Sequence, residues 1–217
     1  MTEDLWSERA EAFRESAVHR SGKDLDLLVE WCEPRPGVTA LDVATGGGHV
    51  ARRLREAGCS VVTVDPAPGM RPDVLARAED MPFADGSFDV VACRIAAHHF
   101  EDVPASSREM ARIAGDRVVI EDLLYEDEEF EEAHRIRDPS HVRSLSEQEW
   151  RSLLGDAGLR VDAVEVFDDR RLELEPWLER VGCRGEEAER VRELLSDRTD
   201  AEGRVPMRTI VIRGRTQ

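Results

Sequence analysis

Three consecutive glycines, Gly46, Gly47 and Gly48, stand between the apolar run LDVA (41–44) and the helix-like run HVARRL (49–54). One glycine is enough to turn a chain. Three at the junction of a strand and a helix imply that another group approaches the main chain closely, because glycine has no Cβ and accepts positive φ. The helix that begins there brings amide donors and the positive end of its dipole to the same point. A strand, a glycine turn and a helix in this order begin an α/β fold.

The rest of the chain continues the alternation. Residues 4–32 carry helical spacing, with Leu25, Leu28, Val29, Trp31 and Cys32 on one side, and EPRPG ends the segment. VTALDVA reads as the first strand. A helix over 49–57 follows and stops at Gly58. CSVVTVD is a second strand, DVLARAEDM a weaker third, and SFDVVACRI a fourth behind the ADGS turn. A helix over 105–113 leads to DRVVIEDLL as the fifth, RVDAVEVF as the sixth and RTIVIRG as the closing strand. The pattern predicts a Rossmann-like α/β fold. Its seven-stranded sheet is mostly parallel, with helices on both faces and an antiparallel last strand. Only the eight residues DPAPGMRP separate Val64 from Asp73, too few for a full crossover helix, so the helix between strands 2 and 3 is expected to be shortened or missing.

Further on, EDLLYEDEEFEE holds eight carboxylates in twelve residues and reads as a solvated helix or loop. SEQEWRSLLGDAG reads as a capped helix, with Ser146 at the N-cap, Glu149 three positions on and Gly158 as the stop. Residues 176–198 read as one helix opening at Pro176.

A formal net charge of −17 repels phosphate backbones and anionic lipid, which argues against nucleic acid and membrane partners. No stretch has the length of a membrane span, and the acidic start MTEDLWSERAEAF lacks an apolar signal region, so a cytoplasmic location is expected. Cys32, Cys59, Cys93 and Cys183 form no CxxC pair and are expected to be buried free thiols.

The glycine turn has the spacing Asp42-x-Ala44-x-Gly46-x-Gly48, unlike the G-x-G-x-x-G of a dinucleotide turn. Asp42 would repel a pyrophosphate and attract a cation. Asp65, 23 residues later at the end of the second strand, is placed to accept ribose hydroxyls. Both features fit a sulfonium nucleoside.

The segments LDVATGGGHVA, VTVDPAPGM, AEDMPFADGSFDVVACRIAAHHFEDV and RDPSHVRSLSEQEW together resemble class I S-adenosylmethionine-dependent methyltransferases. The nearest branch includes quinone C-methyltransferases and many small-molecule methyltransferases. The resemblance implies S-adenosylmethionine as cofactor. Ala44, Gly46 and Gly48 would shape the turn around its methionine moiety, with Asp42 near the ammonium. Asp65 would hold the ribose, and Met70 would cover the adenine. Ala78 and Glu79 would meet the adenine edge, and the backbone of Arg94 would pass beside the cofactor. Thr45 and Pro66 belong to the same set of contacts. It also implies one domain of four parts: an N-terminal helical cap (1–32), a cofactor-binding core (33–124), an acceptor-side lid (125–150) and the C-terminal part of the sheet (151–217). Two departures touch the adenine side: the lost helix, and Arg77 where the family often has an Asp or Thr acceptor. A third shortens the turn before the fifth strand to AGD.

His98 and His99, just past the fourth strand, are candidate bases. The run HRIRDPSHVR adds His141 as a further catalytic candidate, and His134, Arg137 and Arg143 as acceptor-binding candidates; Arg137 could clamp an anionic or carbonyl oxygen. Trp6 and Phe13 could close the site from the N-terminal side. The histidine spacing matches no helical metal pair, so no metal is expected. The expected partner is a small-molecule acceptor, methylated on carbon, oxygen or nitrogen, and the chain is expected to be a monomer or homodimer. The alternative reading is a protein of this fold that has lost methyl transfer and serves as a partner-binding subunit, or catalyses another reaction in the same pocket.

Overall fold

In a computed structural model the structure describes residues 2–15 and 20–217. Among the described residues two helices come first, α1 (Thr2–Glu15) and α2 (Lys23–Trp31), and the helical segment expected over 4–32 is broken ahead of Lys23, where Gly22 stands at the N-cap. The expected stretch over 16–19 lies outside the described residues. Then follow β1 (Thr39–Val43), α3 (His49–Glu56), β2 (Ser60–Asp65), β3 (Val74–Leu75), β4 (Phe88–Arg94), α4 (Val103–Ile113) and β5 (Ala114–Leu123). The chain goes on through α5 (Glu128–Arg137), α6 (Glu147–Asp156), β6 (Arg160–Phe167), β7 (Arg171–Glu173), α7 (Leu174–Glu179), α8 (Gly185–Leu194), β8 (Arg204–Pro206) and β9 (Thr209–Arg215).

Seven strands form one sheet in the order β3-β2-β1-β4-β5-β9-β6. β1 pairs in parallel with both β2 and β4, and β9 runs antiparallel between β5 and β6. The strand order reverses at β1, which opens a crevice beyond the carboxyl ends of β1 and β4. Central strands are apolar on both faces, as burial under two helical layers requires. One core forms around Leu41, Val91, Met110, Ile120 and Trp150. A second, around Leu25, Leu28, Val50, Leu54 and Val90, fills the opposite face.

The link after β2 is a single 3₁₀ turn, Pro68–Met70, as its length dictates. β3 shrinks to two residues, shorter than DVLARAEDM implied. Ser146 and Glu149 form the expected capping box on α6. Three expectations need correction. The stretch 176–198 is not one helix: α7 starts at Leu174, Gly182 turns with φ 78°, and α8 begins at Gly185. A small hairpin, β7 with β8, was not legible, because three-residue strands leave no periodicity. The acidic run is not uniformly solvated. Glu121, Asp122 and Glu131 are buried, two at the end of β5 and one on the inner side of α5. The hairpin, α5, α7 and α8 share a third apolar cluster around Phe130, Trp177, Leu178, Val191 and Val205, beside the crevice.

Candidate active site

The glycine turn has two functions. Ala44, Gly46 and Gly48 adopt left-handed φ of 52°, 50° and 73°. At Gly46 an added Cβ would meet only the Ala44 carbonyl oxygen, at 3.9 Å, and at Gly48 nothing within 4 Å. Those two residues are needed for their backbone conformation. Gly47 differs. Its Cβ would lie 2.7 Å from the Phe13 carbonyl oxygen and 2.8 Å from His49 Nε2. The group that comes close to the middle glycine is therefore helix α1 of the same chain. His49 Nε2 lies 3.0 Å from the Phe13 carbonyl oxygen, and Gly69 N–H donates to Ser7 Oγ at 3.0 Å, so α1 is tied across both ends of this crevice.

The two carboxylates hold the turn. Asp42 Oδ2 accepts from Thr45 Oγ1 at 2.6 Å and from Ala51 N–H at 3.1 Å. Asp65 Oδ2 accepts from Gly46 N–H at 3.0 Å, and Oδ1 from Ala67 N–H at 2.9 Å. Burial pushes Asp42 up to about 6 and raises Asp65, against these hydrogen bonds. A nearby cation would favour the charged form of both. Asp42, Ala44, Thr45, Gly46, Asp65, Pro66, Met70, Ala78, Glu79 and Arg94 all line one cavity of about 220 Å³. Gly48 does not line it; it sets the entry of α3. Arg94 contributes a buried guanidinium as well as backbone, with Nε donating to Glu121 Oε2 at 2.6 Å. Arg77 also lines the cavity, and its guanidinium pairs with Glu101 at 3.0 Å.

The other end of the cavity is built from histidines. His98 and His99 sit on a 3₁₀ turn after β4, and His134 and His141 come from α5 and the loop after it; all four line the cavity. His98 packs against His99 at 4.1 Å and His141 at 5.3 Å between ring centroids, and His141 against His134 at 4.9 Å. Asp122, at the end of β5, grips His98 twice: Oδ1 accepts from Nδ1 at 2.5 Å, and Oδ2 from the backbone N–H at 2.9 Å. With Nδ1 as the donor, Nε2 is left as the acceptor. Glu131 holds His141 Nε2 at 3.0 Å. His99 Nδ1 meets the Ser140 carbonyl oxygen at 3.0 Å. Burial lowers the pKa of His99, His134 and His141, so these rings are held neutral. Trp6 packs edge-on against His99 and Phe13, at 4.7 and 5.4 Å, and closes this end from α1. Arg137 lines the cavity, its guanidinium carbon 4.1 Å over the Trp177 ring. Arg143 does not line it; it is exposed and pairs with Glu149 at 2.6 Å.

Residues 41–117 match the family described as a methyltransferase domain. Uncharacterized methyltransferase YcgJ of Bacillus subtilis is 29% identical over 220 residues, covering 91% of this chain and 87% of that protein. The YcgJ crystal structure matches with a TM-score of 0.82 at 26% identity, over 89% of this chain and 98% of that one. A demethylmenaquinone methyltransferase of Beutenbergia cavernae is 37% identical over 98 residues, 40% of this chain and 41% of that protein. Residues 41–117 are thus a methyltransferase domain, and the chain has the Rossmann-like fold of its methyltransferase neighbours. In this methyltransferase domain the residues at the glycine turn fit the cofactor the family implies: open space faces the left-handed Gly46, and two buried carboxylates, Asp42 and Asp65, have the chemistry to receive a cation and ribose hydroxyls.

Four residues of the cavity region escaped sequence reasoning. Asp122 and Glu131 were hidden inside a run read by its charge. Trp177 on α7 and Arg180 just past its end belong to no motif, yet both line the cavity. The available signal was positional: Asp122 ends a central strand, where open α/β sheets place site residues. Among the described residues no group of three or more His, Cys, Asp or Glu is placed to hold a metal ion, and no helix is long and apolar enough to cross a membrane.

Proposed function

We propose that the protein transfers the methyl group of S-adenosylmethionine to a small-molecule acceptor, using His98 as general base. When bound, S-adenosylmethionine supplies a methyl group made electrophilic by the sulfonium. Asp42 and Asp65 hold the cationic and ribose ends, Gly46 leaves room beside the turn, and Met70 and Ala78 supply apolar surface for the base. His98 Nε2 would take the proton that the acceptor must lose when it is methylated. Asp122 keeps the imidazole in the accepting tautomer and stabilises the imidazolium that forms, while His99 and His141 fix the ring from either side. Residues 125–150 serve as the acceptor-side lid, through His134, Arg137 and His141; Arg143, paired with Glu149 outside the cavity, has no part in it.

The observation that carries this reading is a single cavity lined at one end by the glycine turn with its two carboxylates and at the other by a histidine with an aspartate behind it. Calorimetric titration with S-adenosylhomocysteine tests it. The expected result is binding in about the micromolar range, abolished by Gly46→Val, where a β-branched side chain would have to adopt positive φ and fill the open space. No binding by the wild-type protein would favour the alternative, a protein of this fold without methyl transfer. A screen of acceptors with labelled cofactor then identifies the accepting atom.

A further inference from the structure

Almost every arginine near the crevice meets an acid. Arg9 pairs with Asp138 at 3.2 Å, Arg94 with Glu121 at 2.6 Å and Arg170 with Asp24 at 2.9 Å. Two cations break the pattern. Arg137 donates Nε to the Trp177 carbonyl oxygen at 3.0 Å and lies over that ring, but it has no carboxylate partner among the described residues. Its neighbour in sequence, Asp138, is already taken by Arg9 and by Ser140 Oγ at 2.6 Å. Arg180, just past the end of α7, likewise has no side-chain partner among the described residues. Acid is not scarce, since the chain carries 47 acidic residues against 30 basic ones.

Both guanidiniums line the cavity, and both are held below the usual arginine range by burial, with Arg180 acting on Arg137 and Arg170 on Arg180 as like charges. A third observation points the same way. His134, one helical turn before Arg137 on α5, is buried, lines the cavity and has no partner for Nε2. The walls around these groups include Leu172, Val181 and Met207, which are apolar.

We infer that Arg137 and Arg180, with His134 beside them, receive an oxyanion on the acceptor, so that the substrate class is a small molecule with an apolar body and a carboxylate or phosphate group. This rests on the proposed methyl-transfer reading and names the acceptor's chemistry. A planar guanidinium stacked on an indole presents fixed donors to two oxygens, the geometry both oxyanions share. Arg137 is seated on Trp177 of α7, and no hydrogen bond or ion pair among the described residues joins Arg137 or Arg180 to the glycine turn. The anion received here is therefore the acceptor's and not the cofactor's own carboxylate.

The test is calorimetric titration of the protein saturated with S-adenosylhomocysteine, using three probes: 4-hydroxybenzoate, 4-hydroxyphenyl phosphate and the neutral methyl 4-hydroxybenzoate. At least one anion is expected to bind roughly tenfold or more tightly than the ester, and which anion binds better separates carboxylate from phosphate. Arg137→Gln and Arg180→Gln are each expected to remove most of that preference, read as the ratio of anion to ester affinity, with S-adenosylhomocysteine still bound; Arg137→Lys is expected to restore part of it. Retained S-adenosylhomocysteine binding certifies that each variant is folded. Equal binding of ester and anions, no binding of either anion, or a preference that survives both Gln variants overturns the inference. Loss of S-adenosylhomocysteine binding in the Gln variants would place the anion on the cofactor and overturn it as well. Failure of the wild-type protein to bind S-adenosylhomocysteine defeats the methyl-transfer reading, whatever the probes do.

Discussion

The two ends of the cavity are built by different means. The glycine-turn end comes from contiguous chain: Asp42 to Gly48 form one turn, and Asp65 joins it from the neighbouring strand. Its working groups include backbone amides and left-handed residues, so the sequence pattern and the geometry coincide. The histidine end is assembled from the turn after β4, the end of β5, α5, its following loop and α7. Its working groups are side chains, each fixed by a partner from another segment: Asp122 behind His98, Glu131 behind His141, Trp177 under Arg137. Backbone geometry can be set by one short stretch of sequence, whereas a wall of side chains has to be assembled from several segments.

The widest separation of the two ends is expected from His98→Ala. Turnover is predicted to fall by about 10²–10⁴-fold, while S-adenosylhomocysteine affinity stays within about twofold, because the substitution is remote from the glycine turn. Asp122→Asn is expected to lower turnover too, since an amide can donate to Nδ1 and stabilise the wrong tautomer. The double variant is expected to lose little more than His98→Ala alone, as groups acting as a unit do. Steady-state kinetics beside calorimetry decide the matter, and an undiminished turnover in His98→Ala would remove the base from the proposal.

The next contrast lies inside the glycine turn. Gly47→Ala is predicted to cost about 1–3 kcal/mol of stability, because its Cβ meets the Phe13 carbonyl oxygen at 2.7 Å and α1 must move. Gly48→Ala meets no atom within 4 Å and carries only the left-handed backbone cost, about 1–2 kcal/mol. Limited proteolysis distinguishes the two: cleavage in α1 is expected to accelerate in Gly47→Ala and not in Gly48→Ala. Equal cleavage would mean that α1 does not rest on the middle glycine.

How much of this was legible follows from the same division. The strands, their alternation and the short β2–β3 link were written in apolar periodicity and in the eight residues after Val64. The turn was legible because glycine and aspartate types carry its geometry. At the histidine end the residue types were visible and the convergence was not. Spacing along the chain does not report which polar side chains meet across 24 residues, as His98 and Asp122 do. Charge density also misled: eight carboxylates in twelve residues suggested solvent, yet Glu121, Asp122 and Glu131 are buried against specific partners, whereas Glu128 and Glu129 are exposed. Arg143 shows the reverse error, since proximity in sequence to His141 did not bring its side chain to the cavity.

The smallest expected effect is a pH dependence that the two ends drive in opposite directions. His99, His134 and His141 have folded pKa values below the ordinary 6.5, because burial disfavours the charged ring. As pH falls through 6.5, the unfolded chain takes up protons that the folded chain refuses, so stability is lost on the acid side and regained as pH rises toward 6.5. Each such histidine contributes a slope of at most about 1.4 kcal/mol per pH unit. Asp42 acts the other way. Its folded value, raised from 3.8 to about 6, makes a contribution that is full below 3.8 and lost as pH rises through 6. Asp65 shifts in the same direction. The histidines, His49 included, contribute a rise in urea midpoint between about pH 5 and 6.5, against which Asp42, Asp65, Glu126 and Glu121, the last raised to about 8, pull downward. His134→Asn is expected to flatten that rise by up to one histidine's share, and Asp42→Asn to steepen it. A His134→Asn slope equal to that of the wild type would mean that burial does not hold this ring neutral and that the histidine end is open to water.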